Sequence, residues 1–454
     1  MVDVELLVLG GGVTGLAAAA GMGDRAVVIE RDARPGGLVR TECFDGYWFD
    51  RVLHVLHFQD PALRDRTRAL LGGVLAPCPP EAWVETAAGT ARFPIQLHLG
   101  GLRAEARVRC LEGLARAACA PAPPDGGGPP AYDQFLLASF GPALCELFYF
   151  PYNRKLWRRP LDALVPAGQT WNLQRPSLAD AIRGAFPDAP PRGGYNEDAF
   201  YPRPPADAPC RGMEVLARAL AARVRHLSLA TEVEEIDPAR RTVTARRGGE
   251  RVVYRYGACL CTLPLPAAMR MCVDAPPALR EAAAALPHNA VLSAAFSVRG
   301  PRPAAPGQWR YYTDESLCFT RLVHMTELDP MMAPADGWGV LAEIPVRSGP
   351  RAPDAEVLAR ARRDLARAGA LPPGCRVVDA RLMAADPAYV VFTRGADAAA
   401  RACRDWLAER GIAALGRYGR WEYSSMSRCM AQGIRWAESA RAGVPWADGE
   451  AALA

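Results

Sequence analysis

Histidine is scarce in this chain, six residues in 454, and the thirteen cysteines are scattered, with only Cys259 and Cys261 close together. No cysteine pair has the two-residue spacing of a zinc or redox site. His54 and His57 stand three residues apart with no convincing carboxylate or cysteine cluster beside them, so no metal is expected. Dispersed thiols, odd in number, fit a reducing cytoplasmic setting. An excess of one charge is also missing: 54 basic residues interleave with 49 acidic ones for a net charge of +5. Without a basic run, neither nucleic acid nor a membrane surface is an expected partner. The opening Met-Val-Asp-Val-Glu lacks the basic start of a signal peptide, and no later run reaches membrane-spanning length without charge. Half of the residues are apolar, which in a chain of this length is enough core for two or three domains.

Glycine carries the first positive signal. Residues 4 to 9 form a short apolar run of strand length that enters Gly10-Gly11-Gly12-Val13-Thr14-Gly15, and an alanine-rich helical segment, Leu16 to Ala20, follows. A second apolar run, Ala26 to Ile29, ends on Glu30, twenty residues after Gly10. Strand, glycine turn, helix, strand and terminal acid together form a dinucleotide-binding unit. Gly10 allows the sharp turn, Gly12 lets backbone approach a pyrophosphate, and Gly15 brings helix and strand together, with the phosphates at the helix N-terminus. Glu30 suits the two ribose hydroxyls and disfavours a 2′-phosphate, hence NADP. The continuation Arg31-Asp32-Ala33-Arg34-Pro35-Gly36-Gly37-Leu38 has basic and glycine residues placed to wrap a longer dinucleotide, which favours FAD.

Further along, the stretches 121–130, 203–209 and 300–307 are rich in Pro with Gly or Ala and read as surface loops. Leu, Phe and Trp from Phe135 to Trp157 recur at mixed helical spacing. After Arg211 a helix with Leu216, Leu220, Val224 and Leu227 on one face is expected, then strands over 232–236, 242–245, 252–256 and 258–263, the last stopped by Pro264. Strand-like segments recur at Trp309 to Tyr312 and Val340 to Ile344.

The motifs resemble the amine oxidase and protoporphyrinogen oxidase-like flavoprotein group and, within it, the UDP-galactopyranose mutase-like family. The resemblance runs in patches over nearly the whole chain: Phe49-Asp50 with His54-Val55-Leu56-His57, Phe93-Pro94-Ile95-Gln96, and Phe150-Pro151-Tyr152-Asn153-Arg154-Lys155-Leu156-Trp157 followed by Trp171 and Arg175. It continues in Gly194-Tyr195-Asn196, in Trp309, Tyr311 and Arg321, and in Gly416-Arg417-Tyr418-Gly419-Arg420-Trp421-Glu422-Tyr423. It implies an α/β fold: a Rossmann-type FAD-binding domain (1–75, 205–275 and 400–454), an inserted helical substrate or cap subdomain (97–200), and a β-sheet-rich substrate domain (76–96 and 276–399). It further implies catalytic roles for His54, Arg175, Arg321 and Tyr423 and a cofactor contact by Arg417. Substrate contacts are implied for Gln96, Tyr152, Asn153, Lys155, Trp157, Asn196, Trp309, Tyr311 and Tyr389.

The implied reaction interconverts pyranose and furanose forms of a nucleotide-activated sugar, with N5 of reduced FAD as nucleophile on the anomeric carbon. Three departures bear on it. Val52 and Leu53 stand where the family places two glycines, Ser425-Met426-Ser427 replaces an asparagine and aspartate, and Leu328 replaces a tyrosine. They touch the sugar and pyrophosphate region more than the adenosine end. An FAD oxidoreductase acting on an amine or alcohol is the alternative, and an inactive sugar-binding relative a third reading. In each case the expected partners are a nucleotide-sugar or other small molecule and, for assembly, a homo-oligomer.

Overall fold

The computed structural model describes residues 1–120, 129–166, 173, 175–188, 197–444 and 446. Four sheets contain its strands. The first runs, in spatial order, β10 (Thr231–Asp237), β11 (Thr242–Arg247), β12 (Glu250–Cys261), β1 (Val2–Leu9), β2 (Ala26–Ile29) and β9 (His226–Ser228), with β18 (Ile412–Ala414) also paired to β12. Pairing of β1 with β2 and β12, and of β2 with β9, is parallel, whereas β10, β11 and β12 form an antiparallel meander. Strands buried on both faces read as continuous apolar runs, and Leu6 to Leu9 are each 2% exposed or less. The helix Val13–Ala19 returns over this sheet and packs against the helix Met426–Arg441.

Two local expectations are corrected. The segments 252–256 and 258–263 belong to one strand, β12, that ends at Cys261. Gly257 interrupts its side-chain pattern because a Cβ there would lie 2.8 Å from the Glu5 carbonyl oxygen on β1. The helix after Arg211 spans Glu214–Ala221, and Leu227 lies in edge strand β9. Its apolar side chain suits either element, and pairing with β2 decides.

The second large sheet orders β17 (Arg376–Val390), β13 (His288–Arg299), β16 (Gly337–Arg347), β15 (Arg321–His324), β14 (Trp309–Tyr312), β6 (Ala82–Thr86) and β7 (Gly89–Arg92). The hairpin of β3 (Thr41–Phe44) and β4 (Tyr47–Asp50) rests on it: glycines at 337 and 339 leave room for the Tyr47 and Phe49 rings. A short pair, β5 (Leu75–Pro77) with β8 (Phe200–Pro202), completes the strands. Helices Ala104–Cys119 and Tyr132–Leu144 cross closely at Gly113 and Gly141, where a Cβ on Gly141 would be 2.6 Å from the Gly113 Cα. The helical run Tyr132–Trp157 is long and apolar enough to cross a membrane by composition alone, yet half of its most apolar window is buried inside the molecule. The expected loops over 203–209 and 300–307 are irregular, and most of the third lies outside the described residues.

Candidate functional site

Two glycine turns meet at the carboxyl end of β1. Gly36 donates its N–H to the Gly11 carbonyl at 2.8 Å, and Gly12 bridges Gly36. Glu30 accepts from the Gly11 N–H at 2.7 Å and from the Asp32 N–H at 2.9 Å, so its carboxylate faces the turn. Gly10 has φ of 106°, a left-handed value that suits glycine alone. A Cβ on Gly15 would stand 2.1 Å from the Gly10 carbonyl oxygen, whereas one on Gly12 would meet nothing within 4 Å. Gly15 therefore closes helix onto strand, and Gly12 leaves a cradle open. No side chain caps the helix that starts there, so its first N–H groups face that cradle. Gly37 stands across it from Gly12, and Arg31 beside it is exposed. The C-terminal segment closes in as well: Gly416 abuts the Thr14 hydroxyl, and its N–H donates to Gln432. Arg417 beside it donates to the Ser424 and Ala388 carbonyls and lies over the Tyr389 and Tyr423 rings, with its Nε sealed from solvent and unbonded. Among the described residues no carboxylate pairs with it, and such a guanidinium calls for an anion. The open cradle and this cation fit FAD.

Beyond the turn lies a cavity built from three elements. The helical wall carries Tyr149, Tyr152, Asn153, Leu156 and Trp157, spaced at i, i+3, i+4, i+7 and i+8, which is one stripe of a helix. Asn153 Oδ1 accepts from the Trp157 indole at 2.9 Å and the Tyr132 hydroxyl at 3.2 Å, and Tyr149 donates to Gln96 at 3.0 Å. The sheet wall is a cross-strand row, Tyr311 opposite Arg321, Arg321 opposite Glu343 and Glu343 opposite Ser293. Tyr389 from the end of β17 and Tyr423 from the C-terminal segment close the third side.

Arg321 donates through Nε and Nη2 to Glu343 Oε2. Burial works against its charge, but Glu343 holds it protonated well above the usual range. Glu343 Oε1 accepts the Leu53 N–H at 2.8 Å, so the residue in the place of a glycine is tied to the sheet, while Val52, like Leu38 and Tyr389, packs against the cluster of Val291, Ala385 and Ala388. His54 bonds the Val52 carbonyl through Nδ1 at 3.0 Å, and burial, followed by the charge of Arg417, pushes its pKa down to about 4. Burial raises the Tyr152, Tyr311 and Tyr389 phenols above their ordinary value, so all are neutral donors.

Several expected site residues are not in this cavity. Lys155 lies off the helix stripe, donates to the Tyr312 and Asp314 carbonyls at 3.1 and 2.8 Å, and is pushed down to about 8 by burial. Arg175 is exposed and bonds the Ala117 and Ala138 carbonyls, joining two helices. Trp309 is 2% exposed in the core, one pleat along β14 from Tyr311. Asn196, with Trp171, Gly194 and Tyr195, lies outside the described residues. Leu328 is fully buried, and Ser425 caps the helix Met426–Arg441 by accepting from the Arg428 N–H. Glu343 and Tyr132 were missed. Glu343 is the only acid in the strand 337–347, a signal that could have marked it.

A glycine-turn dinucleotide domain joined to an aromatic, charge-paired cavity defines a class of nucleotide-cofactor enzymes. The comparisons narrow it. Residues 8–70 match the NAD(P)-binding Rossmann-like domain model, and residues 180–431, more than half of the chain, match that of the flavin containing amine oxidoreductases. The chain belongs to this amine oxidoreductase family and is a flavin-dependent enzyme of its superfamily, for which FAD is the implied cofactor. The chain is similar over 98% of its length, and 95% of the other's, to reduced UDP-galactopyranose mutase, with TM-score 0.86 and 19% identity. A putative protoporphyrinogen oxidase from Exiguobacterium sp. 255-15 gives TM-score 0.72 at 17% identity, and cyclohexylamine oxidase from Brevibacterium oxydans IH-35A gives 0.67 at 16%. Each of these two matches covers 97% of this chain and 99% of the other. At such identities the likeness is one of fold, and the α/β architecture with its Rossmann-type domain is that of the group.

Proposed function

We propose that the chain is a flavin-dependent mutase that exchanges the pyranose and furanose forms of a nucleotide-activated sugar. The observation that carries this reading is the convergence of Arg321, Gln96, Asn153 and the phenols of Tyr152, Tyr311, Tyr389 and Tyr423 on one cavity. Arg321, its plane set by Glu343, is the cation that lines this cavity, and a guanidinium suits a diphosphate. Neutral phenols add donors to a departing oxyanion without repelling it. Reduced flavin, when bound, supplies the electron-rich centre that a ring exchange without net redox change needs. The protein's own share is to hold the leaving diphosphate at Arg321, orient the sugar between the helical wall and Tyr423, and keep water out of an aromatic enclosure.

The test is anaerobic incubation of the reduced holoenzyme with UDP-galactopyranose, with the furanose isomer followed by chromatography. Interconversion by the reduced protein alone, with no oxygen consumed, is expected. A second reading, hydride removal from an amine or alcohol carbon, is favoured by the grip of Glu343 on Arg321, which lowers the cavity's positive charge, and by its aromatic walls. Oxygen consumption with an amine or cyclitol, and no isomer from a nucleotide-sugar panel, would replace the first reading by the second.

A further inference from the structure

The helix Phe150–Trp157 supplies most of the helical wall, and its end is an awkward one. Arg158 follows in the left-handed conformation at φ 53°, and the last carbonyls of a helix have no partner within it. Two of them, on Leu156 and Trp157, each accept a hydrogen bond of 2.9 Å from the side-chain amide of Asn289. Asn289 is 0% exposed and lies in β13, where its backbone stands opposite Tyr389 of β17. Its Oδ1 accepts from Arg159, which also donates to the Trp157 carbonyl at 3.1 Å. Across the cavity margin the Trp157 and Tyr389 rings meet edge-on at 6.0 Å.

We infer that Asn289 is a positioning residue of the cavity: one buried amide fixes the helical wall, through Trp157, against the strand pair that presents Tyr389. Both amide hydrogens are used on the helix end, a geometry open to a planar amide and closed to a carboxylate or an aliphatic side chain. Asn289 touches neither the cavity nor the glycine turn, so its effect reaches the ligand through Trp157 and Tyr389. The inference stands on this geometry and does not require the mutase reaction.

The experiment compares Asn289→Ala, Asn289→Ser and Arg159→Ala holoenzymes with the unaltered protein. Hydrogen exchange over residues 150–157 is expected to accelerate at least tenfold in Asn289→Ala, less in Asn289→Ser, and little in Arg159→Ala, with FAD content unchanged in all three. Where UDP-galactopyranose is turned over, KM rises at least fivefold in Asn289→Ala while kcat stays within twofold. Unaltered exchange over 150–157 overturns the inference, as does a fall in kcat at constant KM, or Arg159→Ala reproducing the full effect. Should Asn289→Ala fail to fold, Asn289→Ser carries the same comparison. Should UDP-galactopyranose not react at all, the proposed reaction fails, and exchange alone decides the role of Asn289.

Discussion

At the scale of single residues, the site is set by what burial does to charge. Arg321 remains a cation because Glu343 stands beside it, and the two-pronged contact fixes the guanidinium plane against Tyr311, whose ring centroid is 5.8 Å away. Arg321→Lys preserves the charge and loses the fork. Its KM for the turned-over substrate should rise about tenfold, ~1.4 kcal/mol of binding, and unchanged kinetics would count against a ligand contact there. His54 behaves oppositely. With its pKa depressed to about 4 by burial and Arg417, its ring is neutral throughout the ordinary assay range. The pH–rate profile between 5.5 and 8 should therefore carry no inflection from His54, and His54→Gln should leave its shape unaltered even where the rate falls. For stability the sign is fixed: the unfolded imidazole takes a proton first as pH drops through its ordinary value. His54 thus withdraws stability from there down to about pH 4, and His324, pushed down to about 3, continues the loss. Denaturant unfolding at pH 7 and 4.5 reads the slope, which His324→Phe should reduce.

Secondary-structure elements fix those residues in space, and glycines decide how closely the elements approach. A Cβ on Gly433 would lie 2.3 Å from the Thr14 carbonyl oxygen, so Gly433→Ala must push the helix Met426–Arg441 away from the helix Val13–Ala19. A cost of about 1–3 kcal/mol is expected. Gly12→Ala meets no protein atom and should fold with unaltered stability while losing FAD, a contrast that thermal unfolding of the apoprotein and the flavin content of the purified protein together read. This pair also shows where sequence reading succeeds. The turn Gly10 to Gly15 and Glu30 were legible because each is fixed by local sterics within one strand-turn-helix-strand unit. Helix periodicity likewise separates Tyr152, Asn153 and Trp157 from Lys155, yet the family resemblance implied substrate contacts for all four. What escaped was contact between distant segments. Nothing near Asn289 announces the helix end at Trp157, and Glu343 meets Arg321 and Leu53 only once β16 is paired.

For the molecule as a whole, the cavity exists because two large sheets are held at a fixed relation, and buried polar links contribute to it. Asp50 at the end of β4 accepts from Thr41, Tyr201 and the Met213 N–H, joining the hairpin to β8 and to the turn before the helix Glu214–Ala221. Arg211 and Asp329 form a second link, a pair at 2.9 Å with both side chains 3% exposed. Arg211 also donates to the Pro204 and Pro205 carbonyls, and Asp329 accepts the Met331 N–H. The proline-rich connection from β8 is thereby pinned to the segment after β15. Removing one partner strands a buried charge, for which about 3–5 kcal/mol is typical. Arg211→Met should lose stability of that order, and Asp329→Asn somewhat less, because the amide still caps Met331. The double variant leaves no unpaired charge, so its loss should fall well below the sum of the two singles, a coupling measurable in a double-mutant cycle by denaturant unfolding. If the losses simply add, the pair does not act as a unit, and the relation of the sheets rests on the Asp50 links and on apolar packing around the hairpin. If they couple while FAD content stays unaltered, the clamp acts on the relation between cavity and flavin domain, and KM should respond before cofactor binding does.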